Sequence, residues 1–472
     1  MTRLSKYRSS SASLQLFIFG DEFLSQSMFR KLYSFIFFCL LPLILLRLLL
    51  KSVKQPWYRK HLAERFGYGF GMHEGCFWIH AVSVGESKVA LLILSYLRRF
   101  DSEIPVVLTC ATASARQFLM AQLAQDSCSF VYYAPFDLAC IARRVLRQLN
   151  PRVILVVETE LWPNLLWLAA HEEVPVALVN GRMSEQSMRA YLRWPGFTAQ
   201  VLGCFTWLGV QYAADQQRFI TLGASPDKVS VTGSLKVDAA AGAADSVLAS
   251  RLKSVFAGRP VWVAGSVHPG EEIEAVILAQ RFLLETMPDA LLVLVPRHPE
   301  KTAEISKRIH AQGLRYALFS TSFSASGTDM RASIQILVVD TIGILQSCYQ
   351  AADIAFVGGS IARRGGQNIL EPLLVGVPVI TGPHLYNFAT LGVLLEQEGA
   401  LLRLPDAEMK KQAELLVAWL KDLFTQPEVR KELAARGQAF IDTQKGSLER
   451  TMRQVYTLIS VEEFACLKHR SV

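Results

Sequence analysis

Two doubly wound α/β domains behind an apolar N-terminal helix are the architecture this sequence predicts, and three observations predict it. From Cys76 onward, short Val/Ile/Leu-rich runs alternate with stretches of helical apolar spacing, the pattern of parallel strands covered on both faces. The alternation stops at an Ala-, Gly- and Ser-rich stretch over residues 239–246, read as a hinge, and then restarts. The 472 residues exceed one ordinary domain. Their 51% hydrophobic content and mean hydropathy of +0.26 imply buried parallel sheet, a membrane segment, or both.

Residues 1–27 are Ser-rich and read as an irregular, variable tail, with Met28 as an alternative start. Residues 28–60 read as a membrane anchor with a basic flank. Leu32 to Leu46 carries no charge, Pro42 predicts a kink, and Arg47 interrupts before Leu48-Leu49-Leu50. That run is shorter than the ~20 residues of a comfortable span, so a single-pass anchor, a helix in one leaflet and a buried core helix all fit. Lys51, Lys54, Arg59, Lys60 and Arg65 favour the cytoplasmic side for this flank and attract anionic head groups. No small-residue cleavage site follows, which argues against a removed signal peptide.

The first domain, residues 61–238, has strands expected near Phe77–Val82, Val106–Cys110, Phe130–Tyr133, Val153–Val157, Val174–Val179, Thr206–Val210 and Val229–Thr232. Helices fill the gaps, among them Glu86–Arg99, Asp137–Gln148 and Ala213–Leu222. The second domain, residues 247–472, repeats the pattern with strands at Val261–Ala264, Leu291–Val295, Ile336–Val339, Ile354–Val357 and Val377–Ile380. Its helices are expected at Glu271–Glu285, Lys301–Ala311, Ile344–Tyr349, Ile369–Leu374 and Ala407–Thr425, with Ser320–Arg331 as a surface loop and further helices to the C-terminus. Two such domains enclose a cleft between facing strand ends, suited to two substrates.

A net charge of +8 fits nucleic acid, an anionic membrane or an anionic substrate. No Lys/Arg block with interleaved aromatics occurs in the second half, so nucleic acid is the weakest of these. The eight cysteines form no C-x-x-C and no pairing rhythm, which argues for a reducing compartment and against zinc. The chain contains no G-x-x-x-x-G-K-[ST], no H-E-x-x-H and no Asp-x-Asp, so no P-loop, zincin site or diphosphate–metal clamp is expected.

Candidate residues gather where strands end. Glu86 follows the first strand through Ser83-Val84-Gly85 and serves either as one half of a capping box with Ser83 or as a catalytic carboxylate. Glu158 and Glu160 flank Thr159 after the fourth strand, either at the mouth of a site or favouring the dipole of the helix that follows. Lys236 either pairs with Asp238 or meets an anionic donor. Gly265–Glu272 and Pro296–Glu300 join strands to helices, and Arg297 adds a planar cation suited to phosphate or carboxylate. In Gly358–Pro372, glycines permit backbone amides to approach a phosphate, Asn368 can cap the next helix, and Glu371 can accept from ribose hydroxyls. The bland alternative makes Asn368 and Glu371 a capping pair.

The ordered series HAVSVGE from His80, ETELWPN from Glu158, TGSLKVD from Thr232, GSVHPGEE from Gly265, PRHPE from Pro296, GGSIARRGGQNILEP from Gly358 and GPHLYNF from Gly382 resembles the Kdo (3-deoxy-D-manno-octulosonic acid) transferases of lipid A biosynthesis. The resemblance runs from the apolar segment to about residue 445. It implies a GT-B glycosyltransferase, anchored at the cytoplasmic side of the inner membrane, that moves Kdo from CMP-Kdo to a lipid A precursor without cofactor or metal. By the same resemblance Glu86 is the general base, and Glu160 and Lys236 assist the transition state. Pro296, Arg297, Ile342, Gly343, Ile344, Asn368, Ile369, Leu370 and Glu371 form the CMP pocket. Related sequences commonly have His where this one has Gln367, which removes titration there. A GT-B enzyme using a UDP-sugar and a non-catalytic nucleotide-binding membrane protein are the alternative readings.

Overall fold

The computed structural model describes residues 10–240, 245–322 and 334–459. The chain forms two compact units, Met1–Ala239 with Gly446–Val472 and Ala240–Lys445. Residues 241–244 of the expected hinge and residues 323–331 of the expected loop lie outside the described residues, whereas Phe319–Ser322 forms a short helix.

The first unit holds one parallel sheet of seven strands: β1 (Phe77–His80), β2 (Val106–Cys110), β3 (Ser129–Tyr133), β4 (Val153–Val157), β5 (Val176–Gly181), β6 (Trp207–Val210) and β7 (Val229–Val231). Their order is β3-β2-β1-β4-β5-β6-β7. β1 has a partner on each side, and Phe77, Trp78 and Ile79 are fully buried, which explains why the run shows no polar alternation.

The second unit repeats the scheme with β8 (Val261–Val267), β9 (Leu291–Pro296), β10 (Tyr316–Leu318), β11 (Ile336–Val338), β12 (Ile354–Val357), β13 (Val379–Thr381) and β14 (Leu401–Arg403), ordered β10-β11-β9-β8-β12-β13-β14 and again parallel. The sequence reading lacks β10 and β14. Both are three-residue edge strands, only partly buried, and their few apolar residues do not stand out from the flanking segments. In each sheet the winding direction reverses at one strand, β1 and β8, and ligands of doubly wound sheets bind beyond the carboxyl ends at such a switch point.

Two expectations are corrected at the chain ends. The first helix, α1, runs unbroken over Ser10–Lys54, so the irregular tail does not extend to residue 27; residues 1–9 lie outside the described residues. The C-terminal helix Ser447–Thr457 belongs to the first unit, not to a second domain running to residue 472. Leu448, Met452, Val455 and Tyr456 join the core built on helix α2 (Val84–Phe100) and strands β1 to β4. Their i, i+4, i+7 and i+8 spacing makes one apolar stripe, and α2 offers the matching face.

Arg65, expected among the head-group cations, is buried instead. Its guanidinium donates to the Ala111 carbonyl at 2.8 Å and lies 4.3 Å over the Tyr133 ring. The neighbouring Glu64 carboxylate accepts from Arg116 and from the Tyr133 N–H, which ties this segment to the ends of β2 and β3.

Candidate active site

In the first unit the candidate residues meet beyond β1 and β4. Ser83 caps α2: its Oγ accepts from the Glu86 N–H and donates to Glu86 Oε1 at 2.7 Å, while the Val82 N–H donates to Oε2 at 2.8 Å. Ser83 therefore caps the helix as the capping reading expects, with Glu86 reaching back to the Val82 N–H rather than to that of Ser83. This does not exclude catalysis, because Glu86 is only 7% exposed and burial pushes its pKa up to about 7, with the charges of Glu158 and Glu160 adding to the rise. The bonds from Ser83 and Val82 pull the other way and are outweighed. A helix N-terminus weakens a carboxylate as a base; burial here restores it to the range useful at neutral pH.

Glu158 occupies a left-handed backbone conformation, φ +61°, directly after β4. Its buried carboxylate pairs with Lys236 Nζ at 2.6 Å and Arg182 Nε at 3.0 Å. Lys236 thus answers Glu158. Asp238 caps the C-terminal helix instead, accepting from the Gly446 and Leu448 N–H groups at 3.1 and 2.7 Å. Asn180 holds the turn that presents Lys236, its Oδ1 accepting from the Leu235 N–H at 3.0 Å. Glu160 accepts from Trp162 Nε1 at 3.0 Å, and burial raises its pKa. The Trp162 ring meets His80 edge-on at 4.5 Å. His80 shares a 2.9 Å bond with Thr109 and is kept neutral by burial, its pKa lowered to about 4.

The second unit gathers its candidates beyond β8, β9 and β12. Pro296 ends β9, and the exposed Arg297 guanidinium forms no ion pair among the described residues. His298 stands beside His268, ring centroids 5.8 Å apart. Burial lowers the His268 pKa, and the charges of Arg364, His298 and Arg297 lower it further, so a cationic cluster faces this corner. Ile342 is 88% exposed and Gly343 turns at φ +95°. Asn368 donates to Glu371 at 3.1 Å and accepts from the Leu370 N–H at 3.2 Å, so the two side chains pair as the bland reading expects, although the helix N-cap is Ile369 and carries no side-chain cap. Ile369 and Leu370 are buried, which leaves only their backbone to meet a ligand. The helix they open, Leu370–Leu374, has five residues.

The glycine-rich turn departs from expectation. The Gly359, Ser360 and Ile361 N–H groups donate to the Glu272 carboxylate at 2.8 to 2.9 Å, and Ala362 N–H at 3.4 Å. The amides read as a phosphate cradle are occupied by the protein's own anion. Burial raises the Glu272 pKa while these donors draw it down.

A family model described as 3-deoxy-D-manno-octulosonic-acid transferase (kdotransferase) matches residues 60–239. The 3-deoxy-D-manno-octulosonic acid transferase of Haemophilus influenzae is 32% identical over 434 residues, covering 90% of this chain and 97% of its own. The chain belongs to the 3-deoxy-D-manno-octulosonic acid (Kdo) transferase family. The Bordetella pertussis member is 34% identical, covering 79% of this chain and 85% of its own. In fold, this Kdo transferase matches UDP-GlcNAc 2-epimerase from Neisseria meningitidis with a TM-score of 0.53 at 13% identity, over 80% of this chain and 100% of that one. It matches a glycosyltransferase from Rickettsia africae with a TM-score of 0.53 at 11% identity, over 82% and 100%. The architecture is GT-B, and these two likenesses concern the fold alone.

The sequence reading placed two residues within candidate stretches without giving either a role. Glu158 stood beside Glu160 in the same motif, and nothing local says which of the two meets Lys236. Glu272 was the second Glu of His268-Pro269-Gly270-Glu271-Glu272; only burial separates it from its exposed neighbour Glu271.

Proposed function

We propose that this Kdo transferase moves Kdo from CMP-Kdo to a lipid A precursor (lipid IVA), inverting the anomeric centre, with Glu86 as general base. The acceptor hydroxyl oxygen forms a bond to the anomeric carbon as the bond from that carbon to the CMP phosphate oxygen breaks. The electron pair leaves with CMP, and the hydroxyl proton passes to Glu86. Glu160 and Lys236 assist the transition state. The donor is bound by Pro296, Arg297, the turn Ile342-Gly343-Ile344 and the segment Asn368–Glu371. Arg297 and the cations around His268 balance the monophosphate and the Kdo carboxylate, so the step is written without a metal or cofactor.

The observation that carries this reading is the Glu86 carboxyl, held at a switch point with a pKa of about 7. A base so tuned is ionised often enough to act at neutral pH and basic enough to draw a proton. The test is transfer of labelled Kdo from CMP-Kdo to tetraacylated lipid A precursor by purified enzyme. Glu86→Gln is expected to lower kcat by about 10²–10⁴-fold, the usual worth of a positioned base. Undiminished turnover in that variant would remove Glu86 from the role.

For location, the reading is the inner membrane with both units on the cytoplasmic side. Phe29–Val53 is a 25-residue helical stretch whose most apolar part has a mean hydropathy of 2.3, long and apolar enough to cross a bilayer. Its one face, Phe37, Leu41, Ile44, Leu45 and Leu48, packs on Phe136, Ile141 and Leu138, while Phe35, Phe38, Leu43, Leu46 and Leu50 remain exposed. Ser34 also donates to Asn164 at 3.0 Å, and Phe29 meets Phe197 at 6.2 Å.

A further inference from the structure

We propose that Glu272 is a positioning residue of the donor site: its carboxylate fills the backbone-amide nest of the turn Gly358–Ala362 and thereby fixes the segment Gln367–Glu371. The inference rests on the reading that this segment binds the donor.

Glu272 is 0% exposed and accepts five N–H bonds, four from residues 359–362 and one at 2.8 Å from His268. It faces donors alone, a coordination that an ionised carboxylate satisfies and a carboxamide does not. From this hub the bonds close a ring. Gly366 N–H donates to the Gly359 carbonyl at 2.8 Å, and Gln367 N–H to the Gly358 carbonyl at 2.9 Å. The Gln367 side-chain nitrogen lies 3.1 Å from His268 Nε2, and the His268 backbone returns to Glu272. Gly359 lies inside the ring at φ +70°, where an added Cβ would stand 3.0 Å from the Gln367 nitrogen. Asn368 follows Gln367 directly, so its place depends on the ring.

Two consequences follow for ligand chemistry. The amides of residues 359–362 are spent on Glu272, so the donor's anionic groups must be met elsewhere, the side chains of Arg297 and Arg364 foremost. The Gln367–His268 contact at 3.1 Å closes the far side of the ring. In this chain it holds the ring without adding a titrating group of its own at Gln367.

The experiment measures CMP affinity by calorimetry, KM for CMP-Kdo and for the lipid acceptor, and thermal unfolding, in wild type, Glu272→Gln, Gln367→Leu and Glu271→Gln. Glu272→Gln turns one acceptor atom into a donor facing N–H groups. It is expected to weaken CMP binding about tenfold or more, with the acceptor KM unchanged, as for a small misplacement of binding groups. Gln367→Leu opens the ring on the far side and is expected to weaken CMP in the same direction. Glu271→Gln, on the exposed neighbour, is expected to leave both constants unchanged. Folded Glu272→Gln binding CMP like wild type overturns the proposal, as does an equal loss for donor and acceptor. Should Glu272→Gln not fold, Gln367→Leu decides: unchanged CMP affinity overturns the proposal and weakened affinity supports it. Wild type that does not bind CMP overturns the donor reading and this proposal with it, an outcome distinct from wild-type binding with unaffected variants.

Discussion

At the scale of the residue, a carboxylate that takes a proton at neutral pH must be kept from holding its charge too cheaply. Glu86 meets that condition through burial and through two neighbouring carboxylates. Its folded pKa of about 7 lies above the ordinary 4.5, so the folded state binds more protons between those values. Stability from this group is therefore full below pH 4.5 and lost as pH rises through 7. Glu86→Gln is expected to unfold at a higher temperature than wild type at pH 8, with the difference shrinking at pH 5; differential scanning calorimetry at the two pH values checks it. Activity has the opposite sign. In wild type kcat/KM is expected to fall on the acid side with an apparent pKa near 7, because protonated Glu86 is no base. Lys236 neutralises part of the Glu158 charge. Lys236→Met is expected to move that acid limb to higher pH and to lower kcat, read from the pH–rate profile of the purified variant.

At the scale of the element, the helix Ser447–Thr457 shows how a distant segment completes a core. Met452 is fully buried against the α2 face, and Asp238 caps the helix start from the far end of the first unit's own run. Met452→Ala is expected to cost about 2–5 kcal/mol, and Asp238→Ala about 1 kcal/mol, measured by urea unfolding. Ending the chain at Lys445 is expected to destabilise the first unit rather than the second, which limited proteolysis would show as earlier cleavage within residues 61–239. The strands of both sheets were readable because buried parallel strands are continuous apolar runs, as in Val153–Val157. The edge strands Tyr316–Leu318 and Leu401–Arg403 were not, since half-exposed three-residue strands carry too little pattern.

At the scale of the whole molecule, the proposed membrane attachment rests on α1. Its outward residues Phe35, Phe38, Leu43, Leu46 and Leu50 form an apolar stripe that no described residue covers. Replacing Phe38, Leu43 and Leu46 together by Ser is expected to shift the enzyme from the membrane pellet to the soluble fraction on cell fractionation, with transfer to short, detergent-dispersed acceptors retained. Protein that stays in the pellet after this change would count against anchoring through the exposed face.

Sequence by itself determined the alternation of strand and helix, the two sheets, and the strand ends at which Glu86, Lys236, Arg297 and Asn368 stand. These follow from local periodicity, since each strand or helix writes its burial into its own few residues. Tertiary structure alone decided which charges meet: Glu158 and not Asp238 for Lys236, the glycine-rich amides for Glu272, the Ala111 carbonyl for Arg65. It alone returned the last helix to the first unit. Partners separated by tens to hundreds of residues leave no periodic trace, and a carboxylate's pKa is set by how deeply the assembled fold buries it and by which charges it brings alongside.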